Sequence, residues 1–272
     1  MYICEIMTKY IANQPISVSL GFDTNPLKPI LSVSLDVSET KCAEKHAHPR
    51  AQLIYSSQGT MKVATPESIW YVSSDQAIWV PGMSEHQVFF LNGNHIRNIF
   101  VSPLHTNTLP QECFALNISP FMRELILKVA GIGNNYTMNS TQGRLIQVLL
   151  DELQLVSPTR CCLPLSDNFY LKPVISELLK NPGDTGGIDY FAGLACTSPR
   201  TLSRLFIHEL GLPFSKWRKQ LKLLNAIEML DKGFSVSQIS FDLGYNSPSA
   251  FIDMFRKEFG VSPGKYSGHS IS

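Results

Sequence analysis

The sequence lacks any uninterrupted apolar stretch of the roughly 18–20 residues that a membrane-spanning helix requires. Its first residues, MYICEIMTKYIANQ, also lack the basic region and the apolar stretch of a secretory signal. We therefore expect no membrane partner, and the sequence predicts a cytoplasmic protein.

Charged residues are scarce and nearly balanced. They make up 17% of the chain, with 23 Lys and Arg against 22 Asp and Glu, for a net charge of +1. Such a balance argues against general attraction to polyanions. A length of 272 residues with 44% hydrophobic residues is typical of a folded soluble protein with two domains.

Two further patterns are missing. Six cysteines occur without any Cys-x-x-Cys pair, so neither a disulfide framework nor a cysteine zinc site is expected, and the thiols should be reduced. The sequence GIGNN at 131–135 is not followed by Gly-Lys-Ser or Gly-Lys-Thr, so it is a turn and not a phosphate loop.

A segment of 24 residues occurs twice, with the copies 49 positions apart. LACTSPRTLSRLFIHELGLPFSKW begins at Leu194 and LGYNSPSAFIDMFRKEFGVSPGKY begins at Leu243, with seven identical positions. Each copy reads as a short helix, a tight turn and a second helix that begins at Ser-Pro and ends at Gly. The pattern is typical of a helix-turn-helix unit, present here twice.

The second helix of the first copy is predicted between Ser198 and Gly211. Its buried stripe should consist of Leu202, Leu205, Phe206 and Leu210. Arg200, Ser203 and Arg204 share the opposite face. A merely solvated face is the alternative, but two arginines one turn apart can reach guanine edges and phosphates in a major groove. Because the unit is repeated, we favour DNA reading.

The second copy has the same helix signals at Ser247, Pro248 and Gly260. Its apolar stripe should consist of Phe251, Met254, Phe255 and Phe259. Its outer face carries Ser249, Ala250, Asp253, Arg256 and Lys257. Asp253 stands where the first copy has Arg204, and phosphate repels a carboxylate. We therefore expect most base-specific affinity from the first unit and phosphate contacts from Arg256 and Lys257.

Between the copies, residues 213–231 read as one helix of about 27 Å, close to a DNA turn of about 34 Å. Its predicted apolar face consists of Leu221, Leu224, Ile227 and Leu230. Residues 196–222 have a net charge of +5 within a chain of +1, which predicts a local electrostatic footprint for DNA. One rigid rod would place two recognition helices in successive major grooves.

At these residues the chain resembles the AraC/XylS family of bacterial transcription regulators. The resemblance covers about residues 167–268 and is carried by SPRTLSRLF followed by GYNSPSAFIDMFRKEFGVSPGKY. It implies seven helices that form two helix-turn-helix units. It also implies that Arg200, Ser203 and Arg204 are base-reading positions of the first unit. Ser249, Ala250 and Asp253 match those of the second unit, where basic residues are common at the position of Asp253.

Residues 30–102 contain short runs of β-forming residues separated by turn residues, which predicts a small antiparallel barrel or jelly roll. Within them, HAHPRAQLIYSSQG and PGMSEH resemble the two motifs of the cupin family. The candidate metal ligands are His46, His48, Gln52 and His86. In enzymatic cupins three histidines and a Glu bind a divalent metal. Here Gln52, Met83 and Phe90 stand where that family has Glu, Gly and Asn.

Three neutral imidazoles can hold Zn²⁺, Ni²⁺ or Fe²⁺, but the missing carboxylate removes charge compensation and disfavours redox catalysis. Alternatively, the histidines only line a pocket or its rim. A barrel interior is also a natural small-molecule site. Tyr55, Trp70, Trp79 and Phe89 are candidate lining residues, and the competing interpretation is that they are plain core.

The middle segment contains two predicted amphipathic helices, at about residues 120–130 and 142–155. The apolar stripe of the second consists of Leu145, Ile146, Leu149, Leu150 and Leu153. It either packs against its own domain or forms a dimer surface. The predicted fold is α+β multidomain. A cupin-like antiparallel β-barrel at 1–110 precedes linker or dimerisation helices at 111–165 and an all-α double helix-turn-helix domain at 166–272.

The sequence thus predicts a DNA-binding transcription regulator and not an enzyme. Its partners would be double-stranded DNA, a small-molecule effector bound in the barrel, RNA polymerase if it is an activator, and a second copy in a homodimer. The main alternative is a metal-dependent cupin enzyme fused to a DNA-binding domain. A third possibility is a barrel that only dimerises the DNA-binding part.

Overall fold

The computed structural model describes residues 19–37, 41–90, 93–159 and 162–266. The N-terminal stretch, for which no secretory signal is expected, lies outside these ranges. The chain divides into two compact units. We call the described residues through Cys162 the sheet unit, and those from Leu163 onward the helical unit. The predicted order of an antiparallel sheet domain followed by helices is confirmed.

The sheet unit begins with a short 3₁₀ helix, Ser19–Phe22, and a second one follows the strands at Pro103–His105. Its strands are β1 (Ile30–Val37), β2 (Lys41–Cys42), β3 (Ala51–Tyr55), β4 (Met61–Ala64), β5 (Ser68–Val72), β6 (Gln76–Val80), β7 (Gln87–Phe90), β8 (Asn94–Val101), β9 (Phe114–Asn117) and β10 (Pro158–Thr159). A short strand, β11 (Cys162–Pro164), lies at the boundary between the two units.

The strands form two antiparallel sheets, which agrees with the jelly-roll form of the prediction. The first sheet has the order β1-β8-β3-β6-β9-β10. In the second, β4 pairs with β5 and β7, and β7 pairs with β2. Isolated bridges, such as that between His46 and His86, lie outside these ladders. The result is the jelly-roll version of the predicted architecture.

Two helices of the sheet unit are α1 (Pro120–Ile132) and α2 (Thr141–Gln154). Both start within one residue of the predicted positions, about 120 and 142. The Ser119 and Ser140 hydroxyls cap them by accepting hydrogen bonds from backbone N–H groups in the first turn. Gly143 is required in α2, since a Cβ there would lie 2.2 Å from the carbonyl oxygen of Met138.

The centre of the first sheet is covered on both faces, which explains why β3 is buried at every position. Leu53 and Tyr55 of β3 belong to a core shared with α1 and α2, whereas Ile54 points into a second core between the two sheets. The buried part of the α2 stripe consists of Ile146, Leu149, Leu150 and Leu153. These residues contact their own unit, so a dimer through this segment would have to use the outer face of the helix.

The helical unit consists of α3 (Leu171–Lys180), α4 (Ile188–Leu194), α5 (Pro199–Leu210), α6 (Phe214–Asp231), α7 (Val236–Asp242), α8 (Pro248–Phe259) and α9 (Pro263–Tyr266). The helix pairs α4–α5 and α7–α8 are the two helix-turn-helix units. Among the described residues, no helix combines the length and apolar character that crossing a membrane demands.

The predicted ends of α5 and α8 are confirmed. Ser198 and Ser247 accept hydrogen bonds from backbone N–H groups of the first turn. Gly211 and Gly260 end the helices with φ of 67° and 73°, the left-handed conformation that favours glycine. Most residues of the two predicted apolar stripes are buried, whereas three of them are only half-buried. The half-buried members are Leu205, Met254 and Phe259.

Replacing Leu149 with Ala tests the packing of α2 on the sheet. The side chain is fully buried, so the cavity should lower the free energy of unfolding by about 2–5 kcal/mol. Urea unfolding followed by tryptophan fluorescence measures it, because Trp79 lies in the same core. Val148→Ala on the exposed side of α2 is the matched control. Equal effects of the two substitutions would contradict this packing.

Recognition helices and a histidine cluster

The outer face of α5 is accessible as predicted. Arg200 and Arg204 are exposed and Ser203 is half-exposed. The buried side of the helix faces an aromatic core, in which the ring centroid of Phe206 lies 5.0 Å from that of Phe214 and 5.8 Å from that of Trp217. This core fixes the rotation of α5 about its own axis, so the two arginines point away from the unit.

The corresponding face of α8 is also accessible. Its exposed members are Ser249, Ala250, Asp253, Arg256 and Lys257. Phe251 and Phe255 are buried on the opposite side. The two recognition helices therefore present unlike surfaces, because the exposed carboxylate of Asp253 stands at the repeat position of the exposed guanidinium of Arg204.

The basic segment 196–222 is less available for DNA than its net charge suggested. Arg218 donates hydrogen bonds to the carbonyl oxygens of Gly186, at 2.6 Å, and Asp184. Its guanidinium carbon lies 5.4 Å from the ring centroids of both Phe191 and Phe214. Burial lowers the pKa of Arg218, and the nearby carboxylate of Asp184 opposes this shift. This arginine is a structural group.

Two lysines of the same segment also have internal contacts. Lys219 forms an ion pair of 2.6 Å with Glu258, which joins α6 to α8. Lys222 lies 5.1 Å from the ring centroid of Tyr245, and burial, followed by the charge of Arg218, lowers its pKa. The electrostatic footprint expected for the whole segment is thus reduced mainly to Arg200, Arg204 and Lys216, which are exposed.

In the sheet unit, backbone pairing brings the histidines together. His46 and His86 form an isolated antiparallel bridge with N···O distances of 3.0 and 2.9 Å. His48 follows two residues later, and Gln52 lies on β3. The ligand nitrogens of the three histidines lie within 4.8 Å of one another. The predicted candidate ligands therefore do come together.

The three imidazoles have the same orientation. Each Nδ1 donates to a backbone carbonyl two residues away, from His46 to Glu44 at 2.5 Å, from His48 to Arg50 at 2.7 Å and from His86 to Ser84 at 2.9 Å. A carbonyl oxygen can only accept, so each Nδ1 carries the proton. In a neutral ring Nε2 then carries a lone pair, which can accept a hydrogen bond or coordinate a metal ion.

Burial favours the neutral form of two of these rings, His48 and His86. It lowers the pKa of His86 to about 4, and it also lowers the pKa of His48. The Oε1 atom of Gln52 lies 3.0 Å from Nε2 of His48 and 3.2 Å from Nε2 of His86. The Nε2 atom of His46 is buried without a hydrogen-bond partner. Four lone-pair donors thus face one another, an arrangement that fits a cation.

A strap formed by residues 19–29 covers one side of the cluster. A Cβ at Gly21 would lie 2.3 Å from the ring of His48, so only glycine fits there. The buried guanidinium of Arg50 holds the strap by donating to the carbonyl oxygens of Asp23, at 2.6 Å, and Lys28, at 2.9 Å. Met83, which stands where the cupin motif has glycine, adopts a φ of 64°, in the left-handed region that favours glycine.

The four candidate ligand-lining aromatics do not all lie in one core. Tyr55 and Trp79 lie in the core shared with α1 and α2, whereas Trp70 lies between the sheets. Their polar atoms have partners, since the Tyr55 hydroxyl donates to the carbonyl oxygen of Ser74 and Trp79 Nε1 to that of Pro110. The ring of Phe89 lies 5.2 Å from the Lys62 amine.

Comparison with known proteins agrees with these features. Residues 191–269 match the family model described as a helix-turn-helix domain. The chain is 36% identical over 221 residues to the HTH-type transcriptional regulator NimR of Escherichia coli K12, and 81% of each chain is covered. It is 30% identical over 100 residues to the HTH-type transcriptional regulator RipA of Corynebacterium glutamicum, covering 37% of this chain and 30% of that one.

Among solved structures, the crystal structure of ToxT from Vibrio cholerae O395 aligns with 88% of this chain and 97% of its own, with 12% identity and a TM-score of 0.38. Two helix-turn-helix units after an antiparallel sheet unit, together with the regulator relatives, define a DNA-binding transcription regulator. The chain belongs to the AraC/XylS family. The alternative of a cupin enzyme finds no support among these relatives.

Sequence reasoning missed the structural roles of Arg50 and Arg218, because long charged side chains are usually exposed. Only a fold shows that carbonyl groups converge on a guanidinium. The sequence pattern also predicted Leu224 on the buried face of α6, but this side chain is only half-buried. The buried face instead consists of Phe214, Trp217, Leu221, Leu223, Ala226, Ile227 and Leu230.

Replacing Arg218 with Ala should destabilise the helical unit. It leaves the carbonyl groups of Asp184 and Gly186 without their donor and removes the cation from two rings, which costs about 1–3 kcal/mol of unfolding free energy. Urea unfolding followed by far-ultraviolet circular dichroism measures this loss. Lys216→Ala, two residues earlier and exposed, is the control and should change it by less than about 0.5 kcal/mol. An unchanged midpoint for Arg218→Ala would refute the structural role.

Proposed function

We propose that this regulator reads base sequence mainly with α5 and uses α8 mainly to hold the DNA backbone. The observation that carries the proposal is the difference between the two exposed faces, with Arg204 on one and Asp253 at the same repeat position of the other. Arginine can bind guanine through two hydrogen bonds, whereas a carboxylate on this face can accept only from a donor such as the cytosine amino group.

In this proposal, Arg200, Ser203 and Arg204 contact base edges. Arg256 and Lys257 neutralise phosphates. Ser249, Ala250 and Asp253 occupy the groove-facing positions of the second unit. Helix α6 supplies the spacing, because its 18 residues extend about 27 Å, somewhat less than one DNA turn. The ion pair between Lys219 and Glu258 supports a fixed distance between the two recognition helices.

The sheet unit is proposed to be the sensor of the regulator, which would act in the cytoplasm. An effector would act by favouring one arrangement of the two units over another. The size of this shift would depend on the difference between its affinities for the two arrangements. A homodimer, and contact with RNA polymerase if the regulator is an activator, are part of the same proposal. The division into a sensor at 1–110, connecting helices at 111–165 and a DNA-binding domain from 166 remains a prediction.

We further propose that the sensor binds a divalent metal through His46, His48, His86 and Gln52. The supporting observation is the buried Nε2 atom of His46, which has no hydrogen-bond partner and faces further acceptors. Such a buried group costs free energy that a cation would recover. A bound ion would act as a Lewis acid toward a coordinating effector.

Gln52 can serve both the metal-bound and the metal-free protein. Its carbonyl oxygen is a metal ligand, and its amide, rotated by half a turn, can donate to the Nε2 atoms of His48 and His86 when no ion is bound. A glutamate at this position would be buried without a donor in the metal-free state. The replacement of Glu by Gln therefore suits a site that gains and loses its ion, as a sensor does.

The base-reading role of α5 is tested with Arg200→Ala and Arg204→Ala. If each arginine makes a bidentate base contact, each substitution should cost about 1–3 kcal/mol, or roughly 5- to 150-fold in affinity. The target is an operator selected from random duplexes with the full-length protein. Affinity is measured by fluorescence anisotropy at one fixed salt concentration, because salt alone changes it strongly.

Arg144→Ala, an exposed arginine on α2, is the matched control and should leave affinity unchanged. A double variant of Arg200 and Arg204 that binds the selected operator as tightly as the unmodified protein would disprove the assignment. An equal loss of affinity for the operator and for random DNA would show that both residues contact phosphates and not base edges.

The metal site is tested by elemental analysis after dialysis against Zn²⁺, Ni²⁺ or Fe²⁺. The full-length protein should retain about one ion per chain, and the double variant His46→Ala/His48→Ala should retain none. The matched control replaces His95 and His105, which lie outside the cluster. A protein that retains no ion, or a double variant that retains as much as the control, would exclude the metal and leave a sensor for an organic ligand.

A further inference from the structure

An apolar side chain lies among the polar residues on the outer face of α5. Ile207 is 57% exposed. It follows Arg200 by seven residues and Arg204 by three, so the helix places it on the same side, after two turns and one turn.

Polar side chains border Ile207 on the outer face of α5, and the half-buried Leu205 lies in the same surface groove. One turn earlier lie Ser203 and Arg204, and the next residue is His208, whose imidazole is 3.1 Å from a carboxylate oxygen of Glu209. A single exposed isoleucine needs no explanation on an ordinary protein surface. On a face that enters a major groove, an exposed isoleucine does need an explanation. The groove would remove its side chain from water together with the two arginines.

The major groove offers one apolar group for such a side chain. Each base pair presents hydrogen-bond donors and acceptors there, and thymine alone adds a methyl group, at C5. We propose that Ile207 contacts a thymine methyl group and thereby makes the first unit specific for thymine at one operator position. This inference rests on the proposed DNA-reading role of α5.

The repeat limits this contact to the first unit. The position of Ile207 in the first copy corresponds to Arg256 in the second, 49 residues later. A cation at that position suits a phosphate, whereas the isoleucine does not. The seven residues from Arg200 to Ile207 extend about 10.5 Å along the helix axis. The thymine is therefore expected roughly three base pairs of 3.4 Å from the base contacted by Arg200.

The experiment uses the full-length protein and an operator selected from random duplexes. Each thymine of the operator is replaced in turn by deoxyuridine, which lacks only the methyl group. At one position, affinity should fall about three- to five-fold, the effect of removing one methyl group from an apolar contact. Replacement at other thymines should change it by less than two-fold, which is about the precision of such a measurement.

A double-mutant cycle assigns the methyl contact to this residue. Ile207→Ala should bind the thymine operator three- to five-fold more weakly and no longer distinguish thymine from deoxyuridine at that position. Ile207→Val keeps a branched apolar side chain and should retain the distinction. Leu155→Ala, another exposed apolar residue on the sheet unit, is the matched control and should behave as the unmodified protein.

Two results would overturn the inference. One is an operator in which no thymine is sensitive to loss of its methyl group, including an operator without thymine in the half-site that α5 reads. The other is an equal deoxyuridine penalty in Ile207→Ala and in the unmodified protein. If Arg200→Ala and Arg204→Ala still weaken binding in either case, only the thymine contact fails. If they do not, the reading role of α5 fails as well.

Discussion

The half-buried guanidinium of Arg218 makes the contacts on which the geometry of the DNA-binding unit depends. It lies on α6, beside the rings of Phe191 and Phe214, and donates hydrogen bonds to two backbone carbonyl groups of the loop before α4. One side chain thereby fixes the first helix of the first helix-turn-helix unit to the helix that leads to the second. A guanidinium suits this role because its planar fork of donors matches several carbonyl groups at once.

The second helix-turn-helix unit is attached to the same rod by different means. Lys219, the next residue of α6, pairs with Glu258 of α8, while Leu223 and Ile227 pack against Phe251 and Phe255. Close backbone approach adds to this. A Cβ at Gly183 would lie 2.0 Å from the carbonyl oxygen of Asp242, so the loop before α4 touches the end of α7. Both recognition helices are thus supported by one helix, and their spacing follows from its length.

Local signals in the sequence predicted the elements well, and non-local contacts account for what it missed. Ser198, Pro199 and Gly211 define the ends of α5 through interactions within a few residues, so their consequence can be read directly. The same holds for the stripe of α2. Whether that stripe is covered by its own unit or by a second copy depends on residues far away in sequence, such as Leu53 and Trp79. No periodicity carries that information.

The charge of a segment is likewise a poor guide to what it can bind. Residues 196–222 carry six cations, yet Arg218 and Lys219 serve contacts within the unit and Lys222 lies against an aromatic ring. The histidine cluster shows the opposite case. Motif spacing suggested its members, and the fold adds that every Nδ1 donates to a backbone carbonyl group. Hydrogen bonding thus fixes the direction of the lone pairs before any ligand arrives.

The divergence of the two repeat copies follows from what each part of the repeat must do. Positions that make the fold, such as Ser198/Ser247, Phe206/Phe255 and Gly211/Gly260, are identical, because capping and core packing have the same solution in both copies. The differences include positions on the exposed faces, where Arg204 is matched by Asp253. A duplex offers each recognition helix a different set of base edges, so two identical faces would bind only a repeated sequence. Unlike faces on one rigid support allow a single chain to recognise an asymmetric site.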